Sequence, residues 1–179
     1  LALGGNATFN NATINFELGA NSTLGDPGND LIVVNNNLSL SGVTTVNILP
    51  TATLDNVNPY TLLQYGTLSG GAANLNVITP SRYSFNVLDP TTTVPYIQVQ
   101  VVGSGTAASL LWKGGDAGNP NAWDFQTTSN WLNGASLDKF YSGDNLTFDD
   151  TSTTGSVTLI GTLSPAGVAL NNSTLPYTF

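Results

Sequence analysis

The stretch Leu1-Ala-Leu-Gly-Gly-Asn-Ala-Thr-Phe9, continued through Asn10-Asn11 into Ala12-Thr-Ile-Asn-Phe-Glu-Leu18, decides the fold class. Leu1, Leu3, Ala7 and Phe9 share one parity; Ala12, Ile14, Phe16 and Leu18 take the other. Successive side chains of a strand point to opposite faces, so alternation of this kind reads as sheet with one face buried. A one-residue slip exchanges the faces. Asn10-Asn11 therefore reads as a corner or bulge between two strands.

The same texture runs on through the chain. Asp30-Leu-Ile-Val-Val-Asn35 is apolar on both parities, as in a strand covered on both faces. Further strands are predicted at Leu38–Leu40, Thr44–Leu49, Tyr60–Tyr65, Leu75–Ile78, Tyr83–Leu88 and Tyr96–Val102, each bounded by turn-forming clusters such as Gly25-Asp-Pro-Gly28. Helical spacing is scarcely visible, and nine prolines and nineteen glycines interrupt the chain. Gly103-Ser-Gly105 reads as a boundary, because all three tryptophans and six of the eleven acids follow it. Beyond it, strands at Ser109–Lys113, Asn145–Asp149, Ser156–Leu163, Gly167–Leu170 and Tyr177–Phe179 flank an aromatic-rich insert, 114–143. The expected architecture is all-β with two β units. Residues 1–18 form an N-terminal strand segment, 19–103 a β-sandwich or solenoid-like domain, and 104–179 an immunoglobulin-like sandwich.

Composition narrows the function. The chain has no histidine, cysteine or methionine, and charged residues make up 8%, against roughly 25% in an ordinary soluble domain. Solubility must come from Asn, Thr, Ser and Gly, which suits subunits packed side by side. With a net charge of −8 and only Arg82, Lys113 and Lys139 as cations, phosphate-backbone recognition is excluded, and so is a basic membrane-surface patch. No apolar run reaches the roughly 20 residues needed to span a bilayer. Without cysteine there is neither a disulfide framework nor thiol chemistry. No signal peptide is visible, and the start at Leu1 reads as that of a processed or trimmed chain. A secreted bacterial protein is the expectation.

Four segments in order, Leu111-Trp-Lys-Gly114, Asn121-Ala-Trp-Asp124, Asn130-Trp-Leu-Asn133 and Phe140-Tyr-Ser-Gly-Asp-Asn-Leu-Thr-Phe-Asp-Asp150, are followed by Leu163-Ser-Pro165 with Val168 and by Tyr177-Thr-Phe179. This C-terminal half resembles the autotransporter-associated β-strand repeat proteins, large secreted bacterial surface proteins. Asn29-Asp30-Leu31 and Tyr60-Thr-Leu62 look like the weaker region that precedes it in that family. The resemblance implies an extracellular, β-rich, non-enzymatic surface protein and transfers no catalytic residue.

An unpaired strand edge invites another strand, and lysine or proline normally blunts it. The opening strand carries neither. The expectation is a fibre or pilus-like filament built by donor-strand exchange. Leu1, Leu3, Ala7 and Phe9 would enter the C-terminal unit of another copy, with Tyr177 and Phe179 marking the acceptor edge. The other reading of Leu1–Phe9 is an ordinary internal first strand. A second functional reading, a carbohydrate-binding module of a larger surface protein, assigns Trp123, Trp131 and Tyr141 to glycan contact; core packing competes for the tryptophans. Asp144, Asp149 and Asp150, with Asp116 and Asp124, form the one acidic cluster. It lacks a calcium-loop pattern and reads as strand-terminating turn chemistry, so no metal, cofactor or catalytic residue is assigned. Sequons at Asn6, Asn11, Asn21, Asn37, Asn145, Asn171 and Asn172 follow from an Asn- and Thr-rich composition. Thr91-Thr-Thr93 is too short a run to make an ice-binding face.

Overall fold

The structure, a computed structural model, describes residues 1–88 and 95–179. The Thr91–Thr93 run lies outside the described residues. Of the described residues 46% are strand and 2% helix, and the all-β class holds. It divides into two compact units, Leu1–Gly105 and Thr106–Phe179.

The first unit contains β1 (Ala2–Leu3), β2 (Ala7–Asn10), β3 (Thr13–Leu18), β4 (Ile32–Ser41), β5 (Thr44–Pro50), β6 (Tyr60–Ser69), β7 (Leu75–Ile78), β8 (Phe85–Leu88) and β9 (Tyr96–Val101), with one 3-10 turn at Ala72–Asn74. Its pairing is mostly parallel. β1 and β2 lie beside β4, and β4 beside β6; in a second sheet β3 lies beside β5, and β5 beside β7. Partners sit about one coil apart in sequence: Ala2 faces Val33, Thr13 faces Thr45, Ile32 faces Leu63 and Thr44 faces Leu75. This is a parallel β-solenoid whose coil runs up one sheet, turns a corner and returns along the other.

Asn10-Asn11 is that corner. β2 and β3 belong to different sheets, and Asn11 takes a left-handed φ of 49°. The slip in parity lets both strands send their apolar residues inward, because the chain changes sheets where it changes phase. Polar side chains tie successive corners: Asn11 Oδ1 accepts the Val43 amide at 3.0 Å, and Asn74 Nδ2 donates to the Gly42 carbonyl at 2.8 Å. Inside, residues stack in columns. Ala7, Leu38 and Leu68 share one register row, and Ile14, Val46 and Val77 another. Phe16, Leu18, Val34, Leu38, Val46 and Ile48 are fully buried in one mainly aliphatic core shared by the two sheets. Val34 is inward and buried, whereas Val33 keeps partial exposure, so the Asp30–Asn35 run is covered on one face more than the other. The ladder slips between Val34 and Asn37. Gly66 lies against that bulge, where a Cβ would collide with the Asn35 carbonyl oxygen.

The coil then reverses. β9 pairs antiparallel with β6, and β8 antiparallel with β9, burying Ile97 and Val99. β8, paired with β9, ends the first sheet on that side, and β7, paired with β5, ends the second. At the other end β1, β2 and β3 each have a partner on one side only.

The second unit contains β10 (Ser109–Trp112), β11 (Ala122–Trp123), β12 (Trp131–Asn133), β13 (Ser136–Asp138), β14 (Asn145–Asp149), β15 (Thr158–Leu159) and β16 (Gly167–Asn171). β10, β14 and β16 run parallel in one sheet, β11 and β15 run parallel beside each other, and Ser156 bridges Thr178 in parallel. The antiparallel part is the β12–β13 hairpin, attached to β10. Gly134, with a φ of 61°, supplies its first turn position.

Two expectations change here. An immunoglobulin-like sandwich is built from antiparallel strands, and this unit is instead a second, shorter parallel coil with a hairpin on one edge. Residues 1–18 are not a separate donor segment. They form the first coil of the N-terminal solenoid, with Leu3, Ala7, Phe9 and Ile14 packed on that unit's own core. Period two is common to parallel and antiparallel strands and to strands paired at home or elsewhere. It carries no information on either choice.

Candidate functional site

The glycan-contact residues are in the interior. Trp131 is fully buried and Trp123 is 6% exposed. Trp131 meets Trp112 edge-on at 5.0 Å, Phe148 at 5.4 Å and Trp123 at 5.6 Å, and Trp123 meets Phe140 at 5.7 Å. Edge-to-face packing of this kind uses the ring faces that a sugar would need. Trp112 Nε1 donates to the Thr154 carbonyl at 3.0 Å. Tyr141 is half-buried and packs edge-on against Phe125. No stacking platform is left for a carbohydrate at Trp123 and Trp131.

The acidic residues hold loops. Asp150 accepts the amides of Ser173, Thr174 and Leu175 and the Ser173 hydroxyl, at 2.7–3.0 Å. These donors, the Leu175 amide foremost, hold its carboxyl far below the ordinary carboxylate range. Asp144 is buried and bridges two segments by accepting the Ala108 amide at 2.8 Å and the Tyr141 amide at 2.9 Å. Asp116 accepts the amides of Gly118, Asn119 and Ser129, which lower its pKa. Asp124 takes the Thr128 amide and hydroxyl, and Asp149 takes the Thr151 amide and hydroxyl. In the first unit Asp55 is lowered to about 2 by the Ser22 hydroxyl, the Val57 amide and Asn58. Among the described residues no three acidic side chains come together in a way that could hold a metal ion. Two shallow depressions, of about 430 and 190 Å³, lie on the second unit; Lys113 and Asp116 are the only ionisable groups lining them.

Among the described residues several strands end their sheets with one partner. β16 ends its sheet with β14 on one side. Val168 and Leu170 sit in register with Leu146 and Phe148, whose side chains fill the core. They belong to the inward column, yet they are 49% and 56% exposed. Phe179 packs edge-on against Phe148 at 5.1 Å and is 52% exposed. Tyr177 is better held, its hydroxyl donating to the Asp149 carbonyl at 2.6 Å. The opposite case is the β1–β3 edge. There Leu3, Ala7, Phe9 and Ile14 stack on buried Val34, Leu38, Leu40 and Val46 and remain partly exposed, and Leu1 is almost fully so. Sequence reasoning singled out Leu1, Leu3, Ala7, Phe9, Tyr177 and Phe179 and gave Val168 and Leu170, which it placed in a strand, no site role. The coil repeat would have pointed to them: Asn6 against Asn37, and Ile14-Asn15-Phe16 against Val46-Asn47-Ile48, show parallel stacking, which fixes the residues that share an inward column.

No family model, no curated protein and no solved structure matches this chain.

Proposed function

We propose that the chain is a structural subunit of an extracellular bacterial surface fibre, associating with further copies of itself and using no cofactor. One observation carries this reading. All nine described aspartates accept hydrogen bonds from the chain's own amides or hydroxyls. Carboxylates fixed in this way shape loops and are poorly placed for proton transfer to a ligand. Trp112, Trp123, Trp131, Phe140 and Phe148 of the second unit face inward. The outer surface is rich in Asn, Thr and Ser, as in the Asn15–Asn47 and Thr67–Asn37–Ser69 side-chain ladders. The resemblance of the Trp-x-Gly, Trp-Asp and Gly-Asp-x-x-Thr-Phe-Asp-Asp segments to secreted surface proteins supports the extracellular location.

Strand exchange is not retained as the mechanism, because β1 and β2 are hydrogen-bonded within their own coil. Negative-stain imaging of the purified protein over a concentration series tests the proposal. Filaments or linear oligomers are expected, and discrete single particles at every concentration would refute it.

A further inference from the structure

We propose that Asn133 is a site of self-modification, where the chain converts its own asparagine to aspartate or iso-aspartate through a cyclic imide at a rate held down by Asp138. Asn133-Gly134 is the one Asn-Gly pair in the sequence. It stands at the tip of the β12–β13 hairpin.

The chemistry needs a backbone nitrogen that can reach the preceding side chain. Gly134 has no Cβ to obstruct that approach. It takes a φ of 61°, and a Cβ built there would meet nothing within 4 Å. Cross-strand pairing stops at Asn133 opposite Ser136, and Gly134 lies in the turn between them. Its amide makes no hydrogen bond with the described residues. Both members of the pair are exposed, so water reaches them.

The Gly134 nitrogen bonds to the Asn133 side-chain carbonyl carbon, Cγ. The Cγ–Nδ2 bond breaks, and its electron pair and the Gly134 amide proton leave with Nδ2 as ammonia. Water then opens the imide at either carbonyl. Breaking the bond from nitrogen to Cγ leaves aspartate. Breaking the bond from nitrogen to the main-chain carbonyl carbon leaves iso-aspartate, with the chain routed through Cγ. Water is the one co-reactant.

A cross-strand contact restrains this step. Asn133 Nδ2 donates to Asp138 Oδ2 at 3.0 Å, and Asp138 Oδ1 accepts the Lys139 amide at 2.7 Å. The two side chains are diagonal neighbours, since Asn133 faces Ser136 and Trp131 faces Asp138. Attack requires the side-chain amide to turn until Cγ meets the Gly134 nitrogen in a near-attack geometry. The tie to Asp138 opposes that turn, and pairing of Asn133 with Leu110 and Ser136 fixes the backbone around it. Asp138 is thus a positioning residue that slows the reaction.

Either product sets a new carboxylate beside that of Asp138, and the tie becomes a like-charge contact. Iso-aspartate also adds a methylene to the main chain at the last ladder position before the turn. The hairpin therefore loosens as the molecule ages, and loss of ammonia makes the change one-way.

Incubation in neutral buffer made with heavy-oxygen water, followed by trypsin and fragment mass spectrometry, tests the site. Cleavage after Lys113 and Lys139 releases residues 114–139, in which Asn119, Asn121 and Asn130 are internal comparisons. In the folded chain Asn133 should be converted about tenfold faster than those three, with label incorporated and both products formed. Asp138→Ala, which frees the amide, should raise the rate several-fold. Asp138→Asn keeps an acceptor oxygen and should leave the rate nearly unchanged. Tryptophan fluorescence, which reports the second unit alone, establishes that each variant is folded; Asp138→Ser serves if Asp138→Ala loses the folded signal. Conversion of Asn133 no faster than that of the three comparisons overturns the site. A rate unmoved by Asp138→Ala, or raised equally by Asp138→Asn, overturns the role of Asp138.

Discussion

The two units solve one problem with different materials. In Leu1–Gly105 parallel strands return at nearly constant spacing, and a core in which aliphatic side chains outnumber Phe16, Tyr60 and Tyr65 fills the space between two sheets. In Thr106–Phe179 the offset between stacked strands is irregular, Ser109 facing Asn145 but Asn145 facing Gly167. There the core is a knot of Trp112, Trp123, Trp131, Phe140 and Phe148. Regular coils stack small branched side chains row upon row, so each row supports the next. Irregular coils cannot keep such rows, and a few large rings span the gaps while aspartates fasten the loops. Order in the first unit is distributed; in the second it is concentrated.

Removing one of the rings is the severest test of that contrast. Trp131→Ala empties the centre of the aromatic cluster and should destabilise the second unit by about 3–5 kcal/mol, the usual cost for a buried aromatic. The three tryptophans all lie in this unit. Fluorescence of Trp112 and Trp123 in a urea titration should therefore show the loss, while far-UV circular dichroism retains a transition from the first unit. A single coincident transition would contradict separate stabilisation.

Leu38→Ala makes the converse cut. Leu38 is fully buried in the middle row between Ala7 and Leu68, and its truncation should cost about 2–5 kcal/mol. The circular dichroism midpoint should fall with the tryptophan midpoint unchanged. A shift in both would show that the distributed order extends across the boundary.

Acid separates the units by a smaller effect. Asp55 and Asp150 both have depressed pKa values when folded. Each therefore contributes stability above its unfolded value near 4, lost as pH falls through the folded value. For Asp55 that window runs from about pH 4 to about 2; for Asp150 it extends lower still. The two contributions should fall together between pH 4 and about 2; below that the loss tied to Asp55 levels off while the loss tied to Asp150 in the second unit continues. Asp55→Asn should flatten the upper part of the first unit's pH–stability curve, and an unchanged slope in urea midpoints would remove the carboxylate from the account.

Much of this was readable in the residues. Alternation marked Leu75–Ile78 and Asn145–Asp149 at their observed bounds, and placed a corner at Asn10-Asn11. The opening residues pointed to an edge because they combine alternation with an absence of charge. Val168 and Leu170 were legible as strand residues, but their place in the inward column follows from register with Leu146 and Phe148, which local pattern does not record. Trp123 and Trp131 were ambiguous for the same reason. A tryptophan on a strand reads alike whether its face meets a sugar or another ring.

By itself, then, the order of amino acids determined that this protein is made of strands, where they break, and that its net negative charge originates in the middle of the chain. Those properties follow from neighbours within a few residues, where backbone geometry and side-chain polarity act directly. Only tertiary structure decided that strands run parallel in coils, that Leu1–Phe9 pairs at home, and that the rings turn inward. Those outcomes depend on which segments about 20 to 40 residues apart come to lie side by side, a matter of packing free energy that alternation leaves undetermined.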